Sequence, residues 1–97
     1  MTKPVTETVH FHVTVNSYEE DGHWVSESLE TTIYTYGSTR DEAERQAGKA
    51  NVLLVNELKR QGLDALSTFM MRHGIEYSVG ETNVRCSPSA KRLDCAA

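Results

Sequence analysis

His10 and His12 stand two residues apart. On a β-strand both imidazoles would share a face, a spacing from which two ligands can reach one metal. Further ligands would have to come from neighbouring strands, where His23 and Glu27 are the nearest candidates. Glu19, Glu20 and Asp21 form a run of carboxylates, the kind of cluster that holds Mg²⁺ or moves protons. Joined together, these groups would describe a metal-dependent nuclease. Each also has a plainer explanation. Histidines alternating with apolar residues are the ordinary exposed positions of a half-buried strand, and three acids beside Gly22 are a solvated turn. Cys86 and Cys95 lie far from any base that could activate them, and the chain has no glycine-rich phosphate loop and no nucleophile motif. The expectation is a protein without catalytic residues, metal or cofactor.

The elements that would carry these residues are well marked. Over residues 5–18, Val9, Phe11, Val13 and Val15 fall on one face and His10, His12 and Thr14 on the other. That period of two predicts a strand with one face buried. Asp21-Gly22 predicts a tight hairpin, followed by a second strand from about His23 to Leu29 and a third from Thr31 to Tyr36. Thr39 and Glu42 match a capping box, with the Glu42 carboxylate reaching back to the cap. Ala43, Ala47, Ala50, Leu54 and Leu58 then recur at helical spacing until Gly62 stops the helix after about 22 residues. A shorter helix is expected over Leu63 to His73, with Met70 and Met71 filling the core and Arg72 and His73 complementing its dipole. A fourth strand around Ile75, Tyr77 and Val79 takes the sheet edge. The result is an α+β fold of order β-β-β-α-α-β, with a three-stranded meander and both helices on one face of the sheet. Residues 1–79 make the domain, and residues 80–97 read as a flexible tail.

Composition narrows the function classes. Lys and Arg total 10 against 14 Asp and Glu, a net charge of −4, and the basic residues are scattered. Nucleic-acid binders concentrate positive charge to neutralise phosphates, so direct binding to DNA or RNA is not expected. An acidic surface speeds encounter with a basic protein instead. No apolar run could span a bilayer, and Met1-Thr2-Lys3-Pro4 leads into the alternating pattern without a signal peptide. Both cysteines fall near the end of the chain and not through its body, which argues for reduced thiols and a cytoplasmic protein.

Two stretches carry a family resemblance. Asp21-Gly22-His23-Trp24-Val25 resembles the D-G-x-[aromatic]-V start of the second strand in HicB-type antitoxins, and Gly37-Ser38-Thr39-Arg40-Asp41-Glu42-Ala43 is similar to that family's G-[DS]-T-x-x-E-A lead into its helix. The resemblance covers roughly residues 5 to 79. It implies a partial RNase-H-like fold without that enzyme's catalytic acids, and binding to a small basic toxin that cleaves mRNA. The family's P-x-L-P-G corner is replaced here by Ser28-Leu29-Glu30-Thr31-Thr32, and the link from helix to last strand is longer. The eighteen residues after Val79 are too few for the DNA-binding module of many members, so operator binding is not expected.

With helices on one face, the other face of the sheet is either solvated or an interface. Val25 and Leu29 alternate against Trp24, Ser26 and Ser28, and the pattern leaves open which set meets the helix. Trp24, Tyr34, Tyr36 and Tyr77 are core or interface residues, aromatics being enriched in interfaces. The expected partner-binding surface is the open face with His10, His12 and Thr14, extended by Trp24. It would serve an antitoxin-like, self-associating protein, or a stand-alone homo-oligomeric scaffold or adaptor with no toxin partner.

Overall fold

The computed structural model describes residues 3–80 and 92–97. Their order is β1 (Val9–Glu20), β2 (His23–Ser28), β3 (Ile33–Gly37), α1 (Arg40–Gln61), α2 (Leu63–His73), β4 (Tyr77–Val79) and β5 (Arg92–Ala96). The fold is α+β, with an antiparallel sheet of path β3-β2-β1-β4 and β5 also paired to β1.

Every strand but β3 pairs with β1. β2 pairs with its second half, from Val15↔Ser28 to Glu20↔His23. β4 and β5 pair with its first half, Phe11 facing Tyr77 in one and Cys95 in the other. Successive residues of a strand bond to opposite sides. Thr8, His12 and Thr14 bond to Gly80, Glu76 and Leu29, whereas Val9 bonds to Ala97. β4 and β2 therefore follow one another along one edge of β1, and β5 takes the other.

The β1–β2 turn behaves as its chemistry requires. Asp21 and Gly22 both have positive φ, 50° and 83°, leaving Glu20 paired with His23 across a two-residue loop. That register sets odd-numbered residues of β1 beside even-numbered residues of β2. Since Val9, Phe11, Val13 and Val15 are buried in the core, Trp24, Ser26 and Ser28 share the helix face, while Val25 lies on the other.

α1 runs from its Thr39 cap, whose hydroxyl accepts the Glu42 N–H at 3.1 Å, to Gly62. The return half of the cap differs from expectation. The Glu42 carboxylate accepts from the hydroxyl and backbone N–H of Ser38, one residue upstream, and these bonds hold it below the usual carboxylate range. α2 ends at Gly74, in left-handed geometry with φ 64°.

The two ends of the layer are built differently. Val9, Phe11, Val13, Val15, Val55, Leu58, Leu66, Met70, Ile75 and Cys95 form one apolar cluster under β1, β4, β5, α2 and the second half of α1. Below the first half of α1, the sheet offers Ser26 and Ser28, both fully buried. There Asn51, also fully buried, donates to Ser28 Oγ at 2.9 Å and accepts from Thr31 Oγ1 at 2.8 Å. Ser17 donates to Glu44 at 2.7 Å, and Thr35 donates to the Ala43 carbonyl at 2.8 Å. Small residues let the helix come close: a Cβ on Gly37 would lie 2.5 Å from the Ala43 backbone nitrogen.

Two expectations need correction. Residues 92–96 are a sheet strand, not a tail, and Val9 exchanges two backbone bonds with Ala97. Leu93, Cys95 and Ala97 turn toward the core, but three apolar positions without β-branching are too short a pattern to announce a strand. Residues 81–91 of the expected tail lie outside the described residues. Met71 does not fill the core: it is 81% exposed, while Met70 beside it is fully buried.

Candidate functional site

The even-numbered side of β1 is the open face, and it has two halves. On the first, His10 stands between Ser78 and Ala96 in the register, half-buried. His12 is 7% exposed, its Nδ1 against the Asp94 carboxylate of β5. Thr14 is occupied by Glu30, whose carboxylate accepts the Thr14 N–H at 2.7 Å and hydroxyl at 2.8 Å. These three residues share a face as expected, but His12 and Thr14 are committed to holding β5 and the β2–β3 loop.

The second half carries what the first lacks. Asn16, Glu27 and Tyr34 form one cross-strand row, and Tyr18, Val25 and Tyr36 the next. Neighbours in such rows stand within about 5.5 Å, Cβ to Cβ. Val25 is only 1% exposed although it lies on the face away from the two described helices, so its cover comes from the side chains around it. Tyr18, Tyr34 and Tyr36 present 37%, 52% and 60% of their surface to solvent. His23, paired with Glu20 nearer the turn, continues the same face, its ring 5.8 Å from that of Tyr36. The Tyr34 hydroxyl bonds to the Glu27 carboxylate, and that bond and charge raise it above the usual phenol range. Tyr18 is also raised, first by desolvation and then by the charges of Glu20 and Glu27.

Trp24 is not part of this surface. It pairs with Glu19 and Gly37 on the helix face, where Arg40 lies over its ring at 5.9 Å. Continuing the alternation of β1 by four residues brings Tyr18 to the open face, and the two-residue turn register assigns Trp24 to the other. Those two signals were enough to exchange one residue for the other. Tyr77 faces the core side, its hydroxyl donating to Ser67 Oγ at 2.9 Å.

The other candidates do not converge. Glu19, Glu20 and Asp21 are exposed at the turn. His10 and His12 occupy the first half of β1, whereas His23 pairs with its last residue and Glu27 with Asn16. Among the described residues no three His, Cys, Asp or Glu side chains gather as metal ligands would. His73 does more than complement a dipole: its Nδ1 meets the Glu30 carbonyl at 2.8 Å and its ring stacks on Phe69 at 4.1 Å. A groove of about 1070 Å³ lies between α1 and β5, with Leu53, Leu93 and Cys95 on its walls. Burial, helped by Asp94, pushes the free Cys95 thiol up to about 11, leaving it protonated and a poor nucleophile near neutrality. Cys86 lies outside the described residues. No helix among the described residues is long and apolar enough to cross a membrane.

Comparison of the chain with protein-family models, with curated proteins and with solved structures found no match.

Proposed function

We propose that this chain is a non-catalytic protein-binding domain of the HicB antitoxin type, which covers a small basic RNA-cleaving partner with the open face of its sheet. One observation carries the reading: three exposed tyrosines surround Val25 and Glu27 on a face that neither described helix covers. Exposed aromatics on a sheet supply large contact area, as interface anchors do. The net charge of −4 favours encounter with a cationic protein. The Asp21–Val25 and Gly37–Ala43 stretches point the same way: the first forms the hairpin carrying the tyrosine row, and the second the start of α1.

The test is a tagged pull-down from the native host, with the complex sized by light scattering and a Tyr36→Ser bait run alongside. The expected result is a small basic protein in stoichiometric amount, lost from the variant, whose mRNA cleavage is suppressed when the bait is added back. If only the bait returns, as a defined oligomer that Tyr36→Ser dissociates, the same face serves self-association and the protein is a homo-oligomeric scaffold. A monomeric bait that returns alone refutes both readings.

A further inference from the structure

We infer that the tyrosine surface seats an arginine side chain of the partner, its guanidinium laid on the rings of Tyr18, Tyr34 and Tyr36 with Glu27 as counter-ion. The inference rests on the protein-binding reading above and specifies the chemistry that the face selects.

Glu27 is the deciding residue. It stands in the middle strand of the open face, between Asn16 and Tyr34, with Val25 next along its own strand. Glu20 closes the same face at the turn, opposite His23. None of the ion pairs among the described residues uses Glu20 or Glu27. An apolar partner docking on these tyrosines would strip water from the Glu27 carboxylate and return nothing to it, which is costly. A nucleic acid could stack bases on the rings but would bring phosphates against Glu20 and Glu27. A cation removes both conflicts.

Among cations the geometry favours arginine. The tyrosine faces attract positive charge through the ring quadrupole, and a planar guanidinium can stack on a ring while donating hydrogen bonds to a carboxylate in the same plane. A lysine ammonium offers no such plane and holds its water more firmly. Glu27 already takes the Tyr34 hydroxyl. An ionised carboxylate has lone pairs to spare for a guanidinium as well.

The probe is a blocked tripeptide, acetylated and amidated, with arginine between two glycines. Its control carries citrulline, which keeps the planar shape and loses the charge. Each is titrated into protein with ¹³C-labelled tyrosine rings and followed by NMR. The arginine peptide should shift the ring resonances of Tyr18, Tyr34 and Tyr36 saturably and leave Tyr77 unmoved. The citrulline peptide should bind about tenfold more weakly, the combined loss of a cation–π contact and an exposed ion pair. Glu27→Gln should weaken arginine binding several-fold, and Glu57→Gln, on the outer side of α1, should not change it. Equal binding of arginine and citrulline overturns the inference, and so does arginine binding indifferent to Glu27→Gln. Silent rings beside a successful pull-down of a basic protein refute the arginine seat and leave the proposed function standing. Selective ring shifts with no protein retained support the seat and refute that function.

Discussion

Replacing Asn51 with alanine tests whether the tyrosine half of the sheet is held by hydrogen bonds. Asn51 is fully buried between α1 and β2, donates to Ser28 Oγ and the Ala47 carbonyl at 2.9 and 2.7 Å, and accepts from Thr31 Oγ1 at 2.8 Å. Alanine abandons all three partners. The Ser28 hydroxyl, also fully buried, loses its amide donor, at a cost of about 1–3 kcal/mol. Thr31 is half-exposed and can turn to water, so it adds less. Alanine returns roughly 0.5 kcal/mol of helix propensity. The net loss is about 2 kcal/mol, a fall in melting temperature of roughly 8–16 °C for a domain of this size. Urea denaturation followed by circular dichroism reads it directly. Removing both partners should cost less than the sum of the single changes, because no donor or acceptor is then left behind. The Asn51→Ala, Ser28→Ala double variant is therefore expected to recover about 1 kcal/mol of that sum. A single-variant loss below about 0.5 kcal/mol together with strict additivity would show that water replaces these bonds freely. The account of this interface would then be wrong.

Three further outcomes are expected. Gly37→Ala should destabilise by about 2 kcal/mol or more, since its Cβ would stand 2.5 Å from the Ala43 nitrogen and 2.9 Å from Glu42 Cβ, and the start of α1 must give way; an unchanged denaturation midpoint would contradict that packing. In a Cys86→Ser background, Cys95 should react with a maleimide at pH 8 about a hundred times more slowly than an ordinary thiol, because a thiol titrating near 11 is scarcely ionised there; prompt labelling of folded protein would contradict its burial. Glu42 should titrate by NMR below its ordinary 4.5. A depressed folded value means that its support for α1 is complete above the ordinary pKa and is lost as pH falls through the depressed one; a midpoint above 4.5 would rule out its bonds to Ser38.

Much of the fold was legible because local chemistry and tertiary packing agree. Asp21-Gly22 has one low-energy way to turn, and Thr39 and Gly62 bracket α1 with a cap and a stop that leave it little choice of length. Asn51 was missed because a helical stripe is sought among apolar residues. Here the buried line runs Ala43, Ala47, Asn51, Val55, and the amide is buried for its hydrogen bonds. The face of β2 went undecided for a related reason. Hydrophobicity would turn Val25 inward and the serines outward, and the structure does the reverse, since a polar helix face awaits the serines and tyrosines shelter the valine. Parity through the two-residue turn outranks side-chain preference: with Val9, Phe11, Val13 and Val15 fixed in the core, the pairing of Glu20 with His23 leaves Ser26 and Ser28 on their face and Val25 on the other. The open face with His10, His12 and Thr14 was readable from alternation alone. That His12 and Thr14 were already engaged was not, since Asp94 and Glu30 reach them from distant parts of the chain.

The split of the interior between oil at one end and hydrogen bonds at the other bears on how the molecule breathes. Segments open in cooperative units, and those with little buried apolar surface open first. The β2–β3 hairpin and the first turns of α1 rest on Ser26, Ser28, Thr35 and Asn51, whereas β4, β5 and α2 close on the apolar cluster. Amides of the hairpin should therefore exchange with solvent at a lower free energy than those of β1 around Phe11. The surface bearing the tyrosines then belongs to the unit that can loosen while the rest stays shut. A partner gripping that surface would quench the motion, and protection in the hairpin would rise even where no amide touches the partner.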